Sequence, residues 1–235
     1  MADGTGLLSR VFALCERAQG AWPTVAPGLG GTSLGAPARP PGAPDPLAHT
    51  LRQRSATTCG SACLLVARAL HDPVYAAWLL DGADARTGAS RVEDRFAAAE
   101  LTVKDRTNAL LGPAGLQLPW PQRFGTSPWG AAAEMTRITG RRYRARYLDP
   151  RSPASRAAGY DAVDRVVAGG ATAPVFVGSD AMPRHVVLAV GREEDALRLY
   201  EPASGAVVRL PRGEFAGGGF QVAGWTVPWA VVIPR

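Results

Sequence analysis

The chain has 235 residues, of which 46% are hydrophobic and 20% charged, a balance that suits a soluble globular protein and is too polar for a membrane one. No apolar run reaches the roughly 18 residues that a transmembrane helix needs. The formal charge is +6 and rests almost wholly on arginine, because Lys104 is the sole lysine; together with heavy use of Ala, Gly and Pro this points to a GC-rich coding genome. Three cysteines, Cys15, Cys59 and Cys63, exclude a disulfide framework and fit a reducing compartment, so a cytoplasmic location is expected.

In chain order, Met1–Gly6 lacks a basic n-region, and the apolar stretch from Leu7 is interrupted by Arg10 and Glu16, so it does not read as a secretory signal. Residues 7–19 place Leu7, Leu8, Val11, Phe12, Cys15 and Ala18 at helical spacing, which predicts an amphipathic helix able to dock on a protein partner. Residues 20–46 hold thirteen Gly or Pro and only two charges, and read as a linker. The compact domain is therefore expected to span 47–235.

An apolar helix should begin at Cys59. Short helices follow over Pro73–Leu80 and Arg91–Leu111, the second stopped by Gly112-Pro113. Residues 115–125 read as an exposed loop, with Trp120 and the later Trp129 as packing residues. Thr126-Ser127-Pro128 supplies a cap and a first-turn proline for a helix through Ile138 that Gly140 ends. The remainder alternates as strands over Arg142–Leu148, Ala173–Gly178, Arg184–Gly191, Ala196–Glu201, Val207–Leu210 and Ala223–Ile233, with a helix over 157–168. Helices first and strands after predict an α+β protein with two lobes. The basic cluster Arg141-Arg142-Tyr143-Arg144-Ala145-Arg146 lies in one of these strands, so its arginines alternate in facing and read as a solvated strand, not as a nucleic-acid surface.

The chemistry centres on Gln53-Arg-Ser-Ala-Thr-Thr-Cys59-Gly60-Ser-Ala-Cys63-Leu64. A cysteine at the start of an apolar helix meets unpaired backbone N–H groups and the positive end of the helix dipole, both of which favour the nucleophilic thiolate. Gln53 can donate a side-chain N–H to an oxyanion. Cys63 sits among apolar neighbours and reads as packing. Of three histidines, His71 lies about 18 Å along the same helix and cannot reach the thiol, and His49 has nothing to orient it. His185 leads the strand Val186–Val190 and is held as a proton-transferring base must be. Glu201, sixteen residues on, returns beside His185 if the two strands form a hairpin, and would fix its tautomer. Cys59 and Cys63 have too few nearby His or Asp for a zinc site, and no cofactor is expected.

Gln53-x5-Cys59-Gly60-x-x-Cys63-Leu64 resembles the nucleophile motif of C39 and C39-like peptidases of the papain-like clan. His185-Val-Val-Leu followed by Glu201-Pro202-x-x-Gly205 is similar to their second half. The resemblance spans 47–235 and is loose between 75 and 170. It implies a papain-like cysteine protease fold, with a helical lobe carrying the cysteine and an antiparallel β-sheet lobe carrying the histidine. It further implies a peptide or protein substrate and a Cys59/His185/Glu201 triad with Gln53 at the oxyanion hole. Two positions depart from the family pattern: Thr58 and Glu201 each stand where the family has Asp. The sequence leaves three readings open: a cysteine-dependent hydrolase acting through an acyl-enzyme, a deamidase or acyltransferase on the same site, and a degenerate peptide-binding module.

Overall fold

The computed structural model describes residues 42–82, 91–112, 115–118, 120–219 and 221–235. The helix expected at 7–19, Cys15 and most of the 20–46 linker lie outside the described residues. Six α-helices are present among the described residues: α1 (Cys59–His71), α2 (Pro73–Asp81), α3 (Val92–Asn108), α4 (Pro128–Thr139), α5 (Pro153–Ala168) and α6 (Arg212–Gly217). No single one of them is long and apolar enough to cross a membrane. Three begin with the same device, a side-chain cap followed by proline at the first helical position: Asp72-Pro73, Ser127-Pro128 and Ser152-Pro153. The cap oxygen accepts an amide that the first turn leaves unpaired, and proline has no amide to lose there.

A short pair, β1 (Leu111–Gly112) with β2 (Gly115–Leu116), precedes the main sheet. The main sheet holds β3 (Tyr143–Tyr147), β4 (Ala173–Gly178), β5 (Pro183–Glu193), β6 (Ala196–Glu201), β7 (Ala206–Pro211) and β8 (Val227–Pro234) in the order β3-β8-β4-β5-β6-β7, every pair antiparallel. The molecule is thus a mixed α+β fold. One sheet face, with Val186, Leu188, Tyr200 and Val232, packs on Leu64, Leu65, Leu79, Phe96 and Met135 of α1 to α4. The opposite face, with Val187, Ala189, Leu197 and Val231, packs on Val163 of α5 and Phe215 of α6. Alternate residues of one strand therefore serve two cores, as the two-residue side-chain period requires. In β3, at the sheet edge, Tyr143 and Ala145 are buried and Arg144 is exposed.

Several elements differ from the sequence reading: α5 starts at Pro153, not 157, because Ser152 caps it there. α3 stops at Asn108, not Leu111, because Leu111-Gly112 leaves the helix to pair with β2. The last strand starts at Val227, not Ala223: Val222 and Trp225 bridge each other, and Ala223 and Gly224 adopt φ of 51° and 79°, which no ladder residue can hold. α6 was not anticipated; it is a six-residue turn after Pro211 whose one buried residue is Phe215.

Candidate active site

Cys59 is the first residue of α1. No side chain caps that end and its first turn carries no acid, so its leading amides are not consumed by a cap. Thr58, which precedes it, instead turns its hydroxyl back on the loop: its Oγ1 donates to the Ser55 carbonyl (3.0 Å) and accepts from the Ser55 amide (3.1 Å). Gly60 allows the loop at Thr126 to approach, because a Cβ there would lie 2.6 Å from Thr126 Cβ. One turn further on, Cys63 donates to the carbonyl of Val186 at 3.4 Å and ties α1 to β5 beside His185.

His185 and Glu201 meet by strand register. The β5–β6 ladder ends with Leu188 against Tyr200, which leaves Glu201, the last residue of β6, beside the start of β5 where His185 stands. His185 Nε2 lies 2.8 Å from Glu201 Oε1, and both residues are buried. The Glu201 carboxylate also accepts the amides of Ala203 (2.7 Å) and Ser204 (2.8 Å), in the turn that Gly205 closes at φ 72°. Cys59 acts on the same ring. Burial alone would lower the proton affinity of His185, but hydrogen bonds to Cys59 and Glu201, and their charge, outweigh it and raise His185 to about 9. For Glu201, burial raises the carboxyl; the hydrogen bonds from His185, Ser204 and Ala203 outweigh it and bring the group down to about 2.

Cys59, His185 and Glu201 are thus brought together. Gln53 is tied to the acid's loop: its amide donates to the Pro202 carbonyl at 2.8 Å. Its side-chain Nε2 gives one hydrogen to the Ser55 carbonyl at 2.7 Å, and Oε1 is buried without a partner. Two further contacts hold the same strip: Tyr200 Oη donates to Leu51 O (2.6 Å) and Arg52 Nε to Ser204 O (2.8 Å). His49 is exposed beside a 3₁₀ turn, and His71 ends α1, away from the thiol.

Sequence reasoning did not single out the α3 residues that brace the cysteine loop. Glu100 Oε2 accepts the Arg54 amide at 2.9 Å, Lys104 Nζ donates to Thr57 Oγ1 at 2.7 Å, and Asn108 Nδ2 donates to Gly125 O at 2.9 Å. Their recurrence every four residues was the available signal, since it stacks them on one helical face. A cavity of about 120 Å³ lies between the helices and the sheet, around His71, Arg141, Tyr143 and Val190, and one of about 300 Å³ lies among the helices, around Arg68, Tyr75 and Trp78; neither includes Cys59. No cluster of His, Cys, Asp and Glu among the described residues could hold a metal ion. No family model matches the chain, and no curated protein matches it in sequence.

Proposed function

We propose that the protein is a papain-like cysteine hydrolase acting on a peptide or amide bond in a reducing, cytoplasmic setting, with Cys59 as nucleophile. The observation that carries this reading is the buried contact of 2.8 Å between His185 and the Glu201 carboxylate, with Cys59 acting on the same ring. With the ring raised to about 9, it carries a proton at neutral pH and can hold one taken from Cys59. The thiolate attacks the substrate carbonyl carbon. The resulting oxyanion accepts hydrogen bonds from the Cys59 amide and from the second side-chain hydrogen of Gln53. His185 then returns its proton to the leaving nitrogen, and the acyl group stays on sulfur as a thioester. Water, deprotonated by the now neutral His185, attacks the thioester and releases the carboxylic acid, and the thiol is restored. Deamidation follows the same steps with a primary amide as substrate, and acyl transfer follows them with an amine in place of water.

A second reading, a peptide-binding module that does not cut, is favoured by the burial of Cys59, which is 4% exposed. Site-resolved iodoacetamide labelling of the native protein at mildly acidic pH separates the two. The hydrolase reading expects Cys59 to react far faster than an ordinary accessible thiol, and His185→Ala to slow it by about 100-fold. A native Cys59 no faster than a free thiol, with or without His185, rejects it in favour of the binding module.

A further inference from the structure

The loop that delivers Cys59 to the start of α1 is short, polar and held from outside. Within residues 54–58 every hydrogen bond runs through Ser55, whose backbone and hydroxyl meet Thr57 and Thr58 and leave Arg54 to be held by other elements. The rest comes from α3. Glu100 is fully buried, an unusual setting for a carboxylate with no arginine or lysine bonded to it. One of its oxygens accepts the Arg54 amide, and the other is buried without a hydrogen-bond partner. Thr58, one residue before the sulfur-bearing position, is fully buried and also draws this carboxyl down, although its one hydroxyl hydrogen is given to the Ser55 carbonyl. One helical turn on, Lys104 reaches Thr57, and Asn108 holds Gly125, whose own backbone approaches so near that a Cβ would sit 2.8 Å from the Thr57 carbonyl.

We propose that Glu100 is the positioning residue of the Cys59 loop, fixing through the Arg54 amide the orientation in which the sulfur meets His185. This rests on Cys59 being the nucleophile for its consequence, though not for its geometry. The groups facing Glu100 are Arg54 in the loop, Cys63 on α1 and Tyr200 on β6, with Lys104 a turn away on α3 itself. Burial pushes Glu100 up to about 7, against the pull of the Arg54 amide and the Thr58 side chain. The carboxylate form is the strong acceptor for the Arg54 amide, and protonation weakens it as an acceptor. The loop is therefore held tightly above neutrality and loosely below, which a purely space-filling residue could not produce.

Two readouts on the full chain test this across pH 5.5 to 8.5. The first is the amide resonance of Arg54 in nitrogen-15 spectra, and the second is the alkylation rate of Cys59. In the wild type the Arg54 amide moves with a midpoint near 7, and Glu100→Gln abolishes that movement. Lys104→Met removes the Thr57 contact but leaves the carboxylate, so the titration of Arg54 persists in it. On the acid side of the midpoint, and at all pH in Glu100→Gln, Cys59 reacts about tenfold more slowly than the tightly held loop allows. An Arg54 amide that does not titrate, or that titrates equally in Glu100→Gln, overturns the inference. So does a Cys59 rate that Glu100→Gln leaves unchanged while His185→Ala still lowers it. A Cys59 without any His185-dependent reactivity defeats the hydrolase reading instead, and the Arg54 titration still decides whether Glu100 holds the loop.

Discussion

Cys63 Sγ points at the carbonyl oxygen of Val186, 3.4 Å away, and this contact sets the spacing of the whole site. Cys63 stands one helical turn after Cys59, and Val186 stands one residue after His185. Fixing the second pair therefore brings the first pair into range, because residues four apart share a helix face. Cys63 is fully buried. Burial, then the charge of Cys59 and of Glu201, pushes its thiol well above the ordinary range. Peptide mapping after brief alkylation should therefore find Cys63 unmodified in the native protein and modified once denaturant unfolds it. Native labelling of Cys63 at the rate of Cys59 would contradict the packing described here.

The charge of Glu201, and not merely its shape, should govern His185. Glu201→Gln keeps the volume and an acceptor but removes the negative charge. The imidazole titration, followed by proton NMR, should fall from about 9 toward the ordinary 6.5. The stability consequence has a defined window. The raised histidine contributes in full below 6.5 and loses its contribution as pH rises through about 9; the lowered glutamate contributes in full above 4.5 and loses its contribution as pH falls through about 2. The loss of melting temperature in Glu201→Gln should be largest between 4.5 and 6.5. An unchanged His185 midpoint would show that the carboxylate does not control the ring.

How much of this could be read from the chain depends on the range of the signal. Caps and prolines act locally, so Ser127-Pro128 and Gly140 marked α4 within a residue of its observed limits. The pairing of His185 with Glu201 was legible because a hairpin is the simplest path between two adjacent strands, whereas the one-residue register shift between Ala189 and Gly191 that sets their final alignment was not. Ala223 escaped notice because nothing in its side chain announces a positive φ; the left-handed turn there is imposed by the Val222–Trp225 bridge. Glu100 escaped for a different reason. A glutamate within a polar helix reads as solvated, and only the docking of α3 on the cysteine loop shows that it is fully buried.

Gly60 should be irreplaceable for steric reasons. Its backbone is helical, so alanine would be conformationally welcome there. The obstacle is Thr126, whose Cβ and Oγ1 would lie 2.6 Å and 2.8 Å from the new methyl group. Forcing a methyl into a filled site costs about 1–3 kcal/mol. Gly60→Ala should thus lower the thermal midpoint and also slow Cys59 labelling, because relieving the clash with Thr126 shifts the backbone next to the sulfur-bearing residue. Thr126→Gly should recover part of both effects in the double variant. A Gly60→Ala protein with wild-type melting and labelling would show that the Thr126 loop gives way freely.

Glu134 joins α3 to α4 and offers a test remote from the chemistry. Its carboxylate, 1% exposed, accepts from Arg106 (2.5 Å and 2.8 Å) and from Arg137 (2.6 Å). Burial would raise this carboxyl, but the two guanidinium groups outweigh burial and hold it below the ordinary 4.5. Removing it leaves two arginines without their common acceptor, each about a third exposed and so partly solvated. Glu134→Ala should therefore fall at the lower end of the cost of breaking a buried pair, about 3 kcal/mol, or about 6–12 °C in melting temperature. A lowered carboxylate stabilises fully above 4.5 and ceases to as pH falls through its depressed value, so the gap between variant and wild type should narrow in acid. Melting curves at neutral and acidic pH check both parts. Equal midpoints at neutral pH, or a gap independent of pH, would show that solvent holds these arginines as well as Glu134 does.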